Sequence, residues 1–206
     1  MLIIGITGGI GSGKSSFARL LEEAGLPVLD ADQISHDVTA PAGASIQRIK
    51  ETFGPEFILA DGSLDRKRMA DLAFEDKKAL DILSNIVHQD VLASMEQSLF
   101  ELKEKKVAAV ALDVPIPVEH GFLDRVDLVV CIWTDDEIRI ERLIERGMDP
   151  HEARRRIAVQ MPREGYEEIS DYFILNNGSC RELRQAAQAF LEDVLGGRGI
   201  KFQSLI

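Results

Sequence analysis

The sequence predicts a three-layer α/β fold in which helices cover both faces of a five-stranded parallel sheet. Five apolar runs of strand length alternate with helical segments, at residues 2–6, 27–29, 107–112, 128–133 and 172–175. The runs are continuously apolar rather than alternating, which is typical of strands buried on both faces of a parallel sheet. Between the first two runs, Phe17, Leu20 and Leu21 have helical spacing, so the chain begins with a β-α-β unit.

Two charged, helical segments interrupt this alternation. Residues 34–106 contain no strand-like apolar run, and their spacing predicts a helical insertion between the second and third strands. Residues 135–170 are rich in arginine and contain two helical stretches, which we interpret as a mobile cover. The remaining sequence is assigned to the core of the fold, at residues 1–33, 107–134 and 171–206.

Charge and composition exclude several classes of protein. The net charge of −11 and the absence of a basic face argue against a nucleic-acid partner. No apolar run approaches the roughly 18 residues that cross a membrane. Cys131 and Cys180 are far apart in sequence and suggest neither a disulfide framework nor a metal site. We therefore expect a cytoplasmic protein, monomeric or weakly homo-oligomeric, that binds neither nucleic acids nor membranes.

A glycine-rich segment follows the first predicted strand. Residues 8–15 read Gly-Gly-Ile-Gly-Ser-Gly-Lys-Ser and fit the Walker A pattern, and the strand before and the helix after them are the context that this pattern requires. Lys14 is expected to reach the β- and γ-phosphates of ATP, and the Ser15 hydroxyl is expected to ligate Mg²⁺. The ATP-binding residues predicted in this loop are Gly11, Ser12, Gly13, Lys14, Ser15 and Ser16.

The loop alone does not separate a kinase from an ATPase or a GTP-dependent switch. A guanine-reading Asn-Lys-x-Asp is absent, and the asparagine pair of the chain is followed by glycine, in Asn176-Asn177-Gly178. The third predicted strand ends in Asp113-Val114-Pro115 and is not followed by the Asp-x-x-Gly of a switch. A GTPase is therefore disfavoured.

Two carboxylates follow predicted strands, where ligands bind in open α/β sheets. Asp32, in Asp30-Ala31-Asp32, has two interpretations: it accepts a proton or helps to hold Mg²⁺, or it caps the helix that starts near Gln33. Asp113 occupies the position of a Walker B carboxylate, which holds metal through water, and the alternative is a solvated strand end.

Basic side chains supply a further set of candidates. Arg142 and Arg146 are four residues apart on one predicted helix and share a face. They either stabilise the charge of a γ-phosphate or belong to a solvated helix face that exchanges ion pairs. His88 lies in a helical apolar stretch, where a satisfied core histidine is the default interpretation.

Taken together, these motifs resemble the dephospho-CoA kinase family over nearly the whole chain. The resemblance rests on the segments Thr7–Ser15, Asp30–Asp32, Phe53-Gly54, Asp61–Arg66, Asp113–Pro115 with Glu119, Arg142, Arg146, Arg156, Gln160, Asp171 and Asn176–Gly178. The Walker loop is shared widely, but its combination with Asp-Ala-Asp and Asn-Asn-Gly is much narrower.

The resemblance implies a P-loop NTPase fold and a reaction in which the γ-phosphate of ATP passes to the 3′-hydroxyl of dephospho-CoA, with Mg²⁺. Residues 34–106 would bind the acceptor, and residues 135–170 would be the lid. Matching the family's motifs assigns catalysis to Asp32, Lys14 and Arg142, and further ATP contacts to Arg146, Asn177 and Gly178. It assigns acceptor binding to Thr7, Asp32, Arg66, His88, Pro115 and Glu119.

The sequence departs from the family pattern at Gln89, Pro117 and Tyr166, of which the last replaces a usual lysine or arginine of the lid. Two alternative functions stay open. One is a nucleoside or nucleotide monophosphate kinase with a smaller acceptor, and the other is a nucleotide-binding regulator with slow ATPase activity.

Overall fold

The computed structural model describes residues 1–114 and 125–206, apart from the side chains of Ala73 and Glu75. Its strands form one five-stranded parallel sheet, as the sequence predicts. The strand order, which the sequence did not predict, is β2-β3-β1-β4-β5. The strands are β1 (Leu2–Thr7), β2 (Val28–Asp30), β3 (Ala109–Asp113), β4 (Leu128–Trp133) and β5 (Tyr172–Leu175).

Helices follow β1, β2, β4 and β5 along the chain. They are α1 (Lys14–Glu23), α2 (Ala31–Val38), α3 (Ile46–Phe53), α4 (Arg66–Glu75), α5 (Lys77–Glu104), α6 (Asp136–Glu145), α7 (Pro150–Ala158), α8 (Arg163–Glu168) and α9 (Cys180–Val194). Over the described ranges, no helix is both long enough and apolar enough to cross a membrane.

The chain divides into two compact units. One, which we call the sheet unit, contains residues 1–29 and 106–206, and the other, the helical unit, contains residues 30–105. The roles of acceptor-binding insertion and lid are not tested by this division, and they stay predictions.

The core of the sheet unit lies between the sheet and the helices α1 and α9. Every residue of β3 and β4 is buried, because neighbouring strands and packed side chains cover them on all sides. Phe17 of α1 meets Phe190 of α9 edge to face, with ring centroids 5.5 Å apart. Burying a side chain of this size contributes about 1.5–3 kcal/mol to stability. Helix α9 begins with a reciprocal capping box formed by Ser179 and Glu182, which fixes where the helix starts.

The helical unit has a smaller core of its own. Ile49, Leu64, Met69 and Ile86 are buried together. Aspartates cap two of its helices: Asp65 accepts a hydrogen bond from the Arg68 backbone in α4, and Asp76 accepts one from the Lys78 backbone in α5. These caps explain why α4 and α5 start where they do, since an unsatisfied first turn costs about 1 kcal/mol for each missing cap.

An ion pair joins α3 to α5 within the helical unit. Arg48 donates to the Asp90 carboxylate at 3.0 Å and to the Gln89 side chain at 2.7 Å, and Ser45 donates to the same carboxylate at 2.7 Å. Gln89, a departure from the family pattern, therefore has a structural role here.

The two cysteines are both free, and their environments differ. Cys131 is buried in β4, and desolvation raises the pKa of its thiol to about 12. Cys180 is exposed at the first position of α9. Cys131 is 0% exposed, as are its strand neighbours Val130 and Ile132.

Candidate nucleotide-binding site

The glycine-rich segment forms the loop between β1 and α1. Gly13 is the N-cap of α1 with φ 94° and ψ 13°, a left-handed conformation that favours glycine, and no side chain caps the helix there. A Cβ on Gly8 would collide with the backbone carbonyl of Ile132. The free N–H groups and the positive end of the α1 dipole make this helix start a binding site for an anion.

The residues that directly follow β4 and β5 hold the carbonyl of Ser12 in the loop. The Thr134 hydroxyl donates to it at 2.9 Å and the Asn176 amide donates to it at 2.8 Å. Arg142 then donates to the Thr134 oxygen at 3.1 Å and to the Asn176 carbonyl at 2.8 Å. Arg142, predicted as a catalytic residue, is thereby tied to the loop through two shared partners rather than lying on a solvated helix face.

Lys14 carries the charge at the start of α1. Its ammonium group pairs with the Asp113 carboxylate at the end of β3, and their side chains are only 13% and 3% exposed. This pairing excludes the interpretation of Asp113 as a solvated strand end. It also holds the lysine beside the loop, because Asp113 lies on the strand next to β1.

Two buried hydroxyls in the loop region have no hydrogen-bond partner among the described residues. They are the hydroxyls of Thr7, at the end of β1, and Ser12, inside the loop. A buried polar atom without a partner costs about 1–3 kcal/mol, so such atoms are expected where a ligand or water completes the site.

A cavity of about 390 Å³, which we call the loop cavity, opens beside this loop. Its lining residues are Gly13, Ser16, Arg142, Glu145, Arg146, Asn176, Gly178, Cys180 and Leu183. Five of the residues predicted to bind ATP therefore share one cavity. Asn177 instead exchanges hydrogen bonds with Asp135, at 3.0 Å to its backbone and 2.8 Å to its carboxylate. Its neighbour Asn176, which the sequence did not single out, lines the cavity.

In the helical unit, the two aspartates of Asp30-Ala31-Asp32 have different environments. Asp30 is the N-cap of α2, and its carboxylate accepts from the backbone N–H groups of Asp32 at 2.8 Å and Gln33 at 3.1 Å. Asp32 lies in the first turn and is exposed. Its carboxylate has no hydrogen bond or ion pair in residues 1–114 and 125–206. The capping interpretation of Asp32 is therefore wrong, because Asp30 is the cap.

The other predicted acceptor residues of the helical unit lie apart. Arg66 donates to the Thr39 hydroxyl at 2.6 Å, and both line a cavity of about 490 Å³. His88 is half-buried in α5, and its Nε2 has no partner in the described part of the chain. Pro115 and Glu119 lie outside the described residues, as does Pro117.

Tyr166 lies in the core, at 1% exposure. Its ring is 5.6 Å from the ring of Trp133, and burial raises the pKa of its hydroxyl. Nearby, Arg163 lies over the ring of Phe173 and pairs with Glu167. At this departure from the family pattern, the chain therefore has a buried ring contact in place of a charged side chain.

Gly13→Ala is expected to lower the free energy of unfolding by about 1–3 kcal/mol, because alanine is strained at this left-handed φ and its Cβ would collide with the Asn176 amide. Urea denaturation followed by Trp133 fluorescence measures the change. Gly197→Ala is the matched control, since Gly197 has no positive φ and nothing within 4 Å of an added Cβ. Equal losses in the two variants would contradict the expectation.

The parallel sheet, the Walker A loop and the cation-lined cavity define a P-loop nucleotide-binding protein. A model of the dephospho-CoA kinase family matches residues 2–182. A Corynebacterium glutamicum protein named dephospho-CoA kinase is 35% identical over 196 residues, which cover 95% of this chain and 98% of that protein.

Solved structures agree with this match. A Thermus thermophilus protein superposes with a TM-score of 0.76 at 33% identity, covering 94% of this chain and 97% of its own. A dephospho-CoA kinase from Campylobacter jejuni superposes at 0.73 with 23% identity, covering 95% and 98%, which shows the fold. The chain belongs to the dephospho-CoA kinase family. The predicted family and the predicted class of enzyme, an ATP-dependent kinase, are confirmed.

Proposed function

We propose that the chain transfers the γ-phosphate of ATP to the 3′-hydroxyl of dephospho-CoA, giving coenzyme A and ADP. The acceptor oxygen attacks the γ-phosphorus, the bond from that phosphorus to the bridging oxygen breaks, and ADP leaves. The hydroxyl proton passes to a carboxylate, which we assign to Asp32. Membership of the family supports the substrates, and the pairing of Lys14 with Asp113 beside the loop is the observation that carries the nucleotide half.

On the nucleotide side, the backbone N–H groups of residues 11–16 would bind the phosphates. Lys14 would exchange its contact with Asp113 for the β- and γ-phosphates. Arg142 and Arg146 line the loop cavity and would neutralise the charge that spreads over the γ-phosphate in the transition state.

Mg²⁺ fits the oxygen groups at this site. Mg²⁺ usually keeps several waters and is bound by one or two protein groups together with substrate phosphates. The described residues contain no group of three or more His, Cys, Asp or Glu side chains that could hold a metal ion. Ser15, in the first turn of α1, and Asp113, at the end of β3, would hold it. When bound, Mg²⁺ supplies positive charge that neutralises the β- and γ-phosphate oxygens.

On the acceptor side, we assign Asp32, Arg66, His88, Pro115, Glu119 and Thr7 to dephospho-CoA, from their match to the family's motifs. The exposed, unpaired state of Asp32 supports its role as the proton acceptor, because an aspartate used as a cap would have its oxygens engaged. Residues 34–106 would form the acceptor domain and residues 135–170 the lid. We further propose a cytoplasmic location and a monomeric or weakly homo-oligomeric state.

The test is ADP release by the purified protein with Mg-ATP and, in parallel, dephospho-CoA, AMP or no acceptor. Turnover only with dephospho-CoA, with coenzyme A as the identified product, is the expected result. Turnover with AMP would instead define a nucleotide monophosphate kinase. Hydrolysis of ATP at the same rate without any acceptor would define a nucleotide-binding ATPase, and either of these outcomes would overturn the proposal.

Arg142→Ala is expected to lower kcat/KM for ATP by roughly 10- to 100-fold, because a hydrogen bond to a charged group contributes about 1.5–3 kcal/mol. Initial rates at varied ATP concentration measure the effect. Arg154→Ala is the control, since Arg154 is exposed on α7 and lies outside the loop cavity lining. Unchanged ATP kinetics in a folded Arg142 variant would return this arginine to a purely structural role.

A further inference from the structure

Two side chains bind both polar atoms of one loop residue, Ile10. The Gln160 side-chain oxygen accepts from the Ile10 N–H at 3.0 Å, and Arg139 Nε donates to the Ile10 carbonyl at 2.8 Å. Arg139 also donates through a terminal nitrogen to the same Gln160 oxygen. Arg139 lies in α6, and Gln160 follows the end of α7. The three residues therefore form a closed hydrogen-bonded clamp on the outer turn of the phosphate loop.

The remaining contacts of Arg139 keep it away from the phosphates. Its other terminal nitrogen donates to Asp136 at 3.0 Å, and its guanidinium lies 5.3 Å from the centre of the Trp133 ring. The side chain is 1% exposed and is not among the residues that line the loop cavity. Arg139 thus differs from Arg142, which lines that cavity.

Packing alone does not explain a buried arginine. Burial of a guanidinium is costly unless hydrogen bonds and a partner charge compensate for lost water, and an apolar side chain of similar volume fills such a space at no such cost. The desolvation of Arg139 lowers its pKa, while Asp136 opposes that shift. Asp136 and the clamp accept hydrogen bonds from Arg139 that compensate for the lost water, and the Trp133 ring adds a cation–π contact.

The sequence of the loop leaves space for this clamp. A Cβ on Gly9 would overlap the Arg139 terminal nitrogen and the Gln160 oxygen, which lies 2.7 Å from that Cβ position. Gly9 has no positive φ, so its own backbone does not require glycine. The close approach of the two side chains accounts for a second glycine directly after Gly8.

We propose that Arg139 and Gln160 are positioning residues that hold the Ile10 peptide so that the following loop N–H groups face the phosphates of ATP. The inference rests on the proposed function, since it concerns the ATP half of that reaction. Trp133 is the one tryptophan of the sequence and contacts Arg139. Its fluorescence is therefore a direct reporter of movement in the clamp.

The principal variant is Gln160→Met, which keeps the length of the side chain and removes the acceptor. We expect the Kd for Mg-ATP, measured by calorimetry, and the KM for ATP to rise about tenfold, with KM for the acceptor unchanged. Gln160→Glu keeps an acceptor oxygen and is expected to stay within about threefold of wild type. Equal losses in both variants would overturn the role of the acceptor oxygen.

Gln188→Met is the matched control, because the Gln188 oxygen accepts from the Leu205 backbone N–H at 2.8 Å, far along the chain from the loop. We expect it to lower the unfolding midpoint in urea and to leave the Kd for Mg-ATP unchanged. Weakening of ATP binding by Gln188→Met to the extent seen for Gln160→Met would show that general destabilisation explains both, and the inference would fail.

Arg139→Lys provides a second route if Gln160→Met does not fold. Lysine keeps the charge but lacks the planar guanidinium that contacts Ile10 and Gln160 together. We therefore expect several-fold weaker ATP binding and a different change in Trp133 fluorescence when ATP is added. Wild-type affinity in this variant would overturn the inference and leave the proposed function standing. Absence of Mg-ATP binding by the wild-type protein would instead overturn the proposed function, and the inference with it.

Discussion

Lys14→Met is expected to lower kcat/KM for ATP by roughly 10²–10³-fold, the loss that follows removal of one charge-stabilising donor from a preorganised site. Lys14 is the basic residue at the start of α1, where the loop N–H groups and the helix dipole already favour anions. Methionine keeps the length of the apolar stem but removes the ammonium group, which would stabilise the negative charge that develops on the γ-phosphate. Initial rates of ADP release at saturating acceptor measure the loss.

Stability must be followed alongside activity in this variant. Lys14 pairs with Asp113, whose side chain is 3% exposed, so removing the ammonium group also removes a charge partner from a buried carboxylate. Rates are therefore compared at a temperature well below the thermal unfolding midpoint of each protein. Lys50→Met, at an exposed position of α3, is the control and should change kcat/KM by less than about twofold. A folded Lys14 variant within tenfold of wild type would contradict the expectation.

The sheet could be predicted from the sequence because its strands are buried on both faces and therefore read as continuous apolar runs. Strand ends were less predictable. The third run begins at Val107, but β3 begins at Ala109, and β1 continues to the polar residue Thr7. These ends depend on where the neighbouring strand offers a hydrogen-bonding partner. Thr7 pairs with Cys131 and Ala109 pairs with Leu2, and a local sequence pattern holds no information about partners so far along the chain.

The phosphate loop was likewise predictable, since all its residues are consecutive, whereas the groups that hold it were not. Arg139 has glutamates two residues on either side, a pattern typical of a solvated helix face, yet it is 1% exposed. Its burial follows from contacts with Ile10 and Gln160, which lie 129 and 21 residues away in sequence. Only the fold brings these residues together, so periodicity on α6 alone pointed in the wrong direction.

Asp30 and Asp32 illustrate a choice that spacing left open and geometry decides. Both positions are compatible with a helix cap when only the sequence is considered. The backbone N–H groups at the start of α2 point to the Asp30 carboxylate, so its oxygens are engaged and those of Asp32 are available. This difference makes two neighbouring aspartates a matched pair for experiment, one structural and one assigned to proton transfer.

Asp32→Asn is expected to lower kcat by roughly 100-fold or more, because an amide cannot accept the proton of the acceptor hydroxyl. KM for ATP should change little, since Asp32 has no assigned contact with the nucleotide. The free energy of unfolding should fall by no more than about 0.3–1 kcal/mol, which is the contribution of a negative charge in the first turn of a helix. Steady-state kinetics with dephospho-CoA and urea denaturation measure the two quantities.

Variants of Asp30 are the controls, because they are expected to change stability at most and to leave turnover intact. Asp30→Asn should keep both stability and turnover, because asparagine caps a helix about as well as aspartate. Asp30→Ala should lower the free energy of unfolding by about 1 kcal/mol through loss of two hydrogen bonds to the α2 backbone. Near-normal turnover in a folded Asp32→Asn protein would remove Asp32 from proton transfer. Since loss of the cap lowers only stability, a fall in turnover confined to Asp32→Asn identifies its carboxylate as the group the reaction requires.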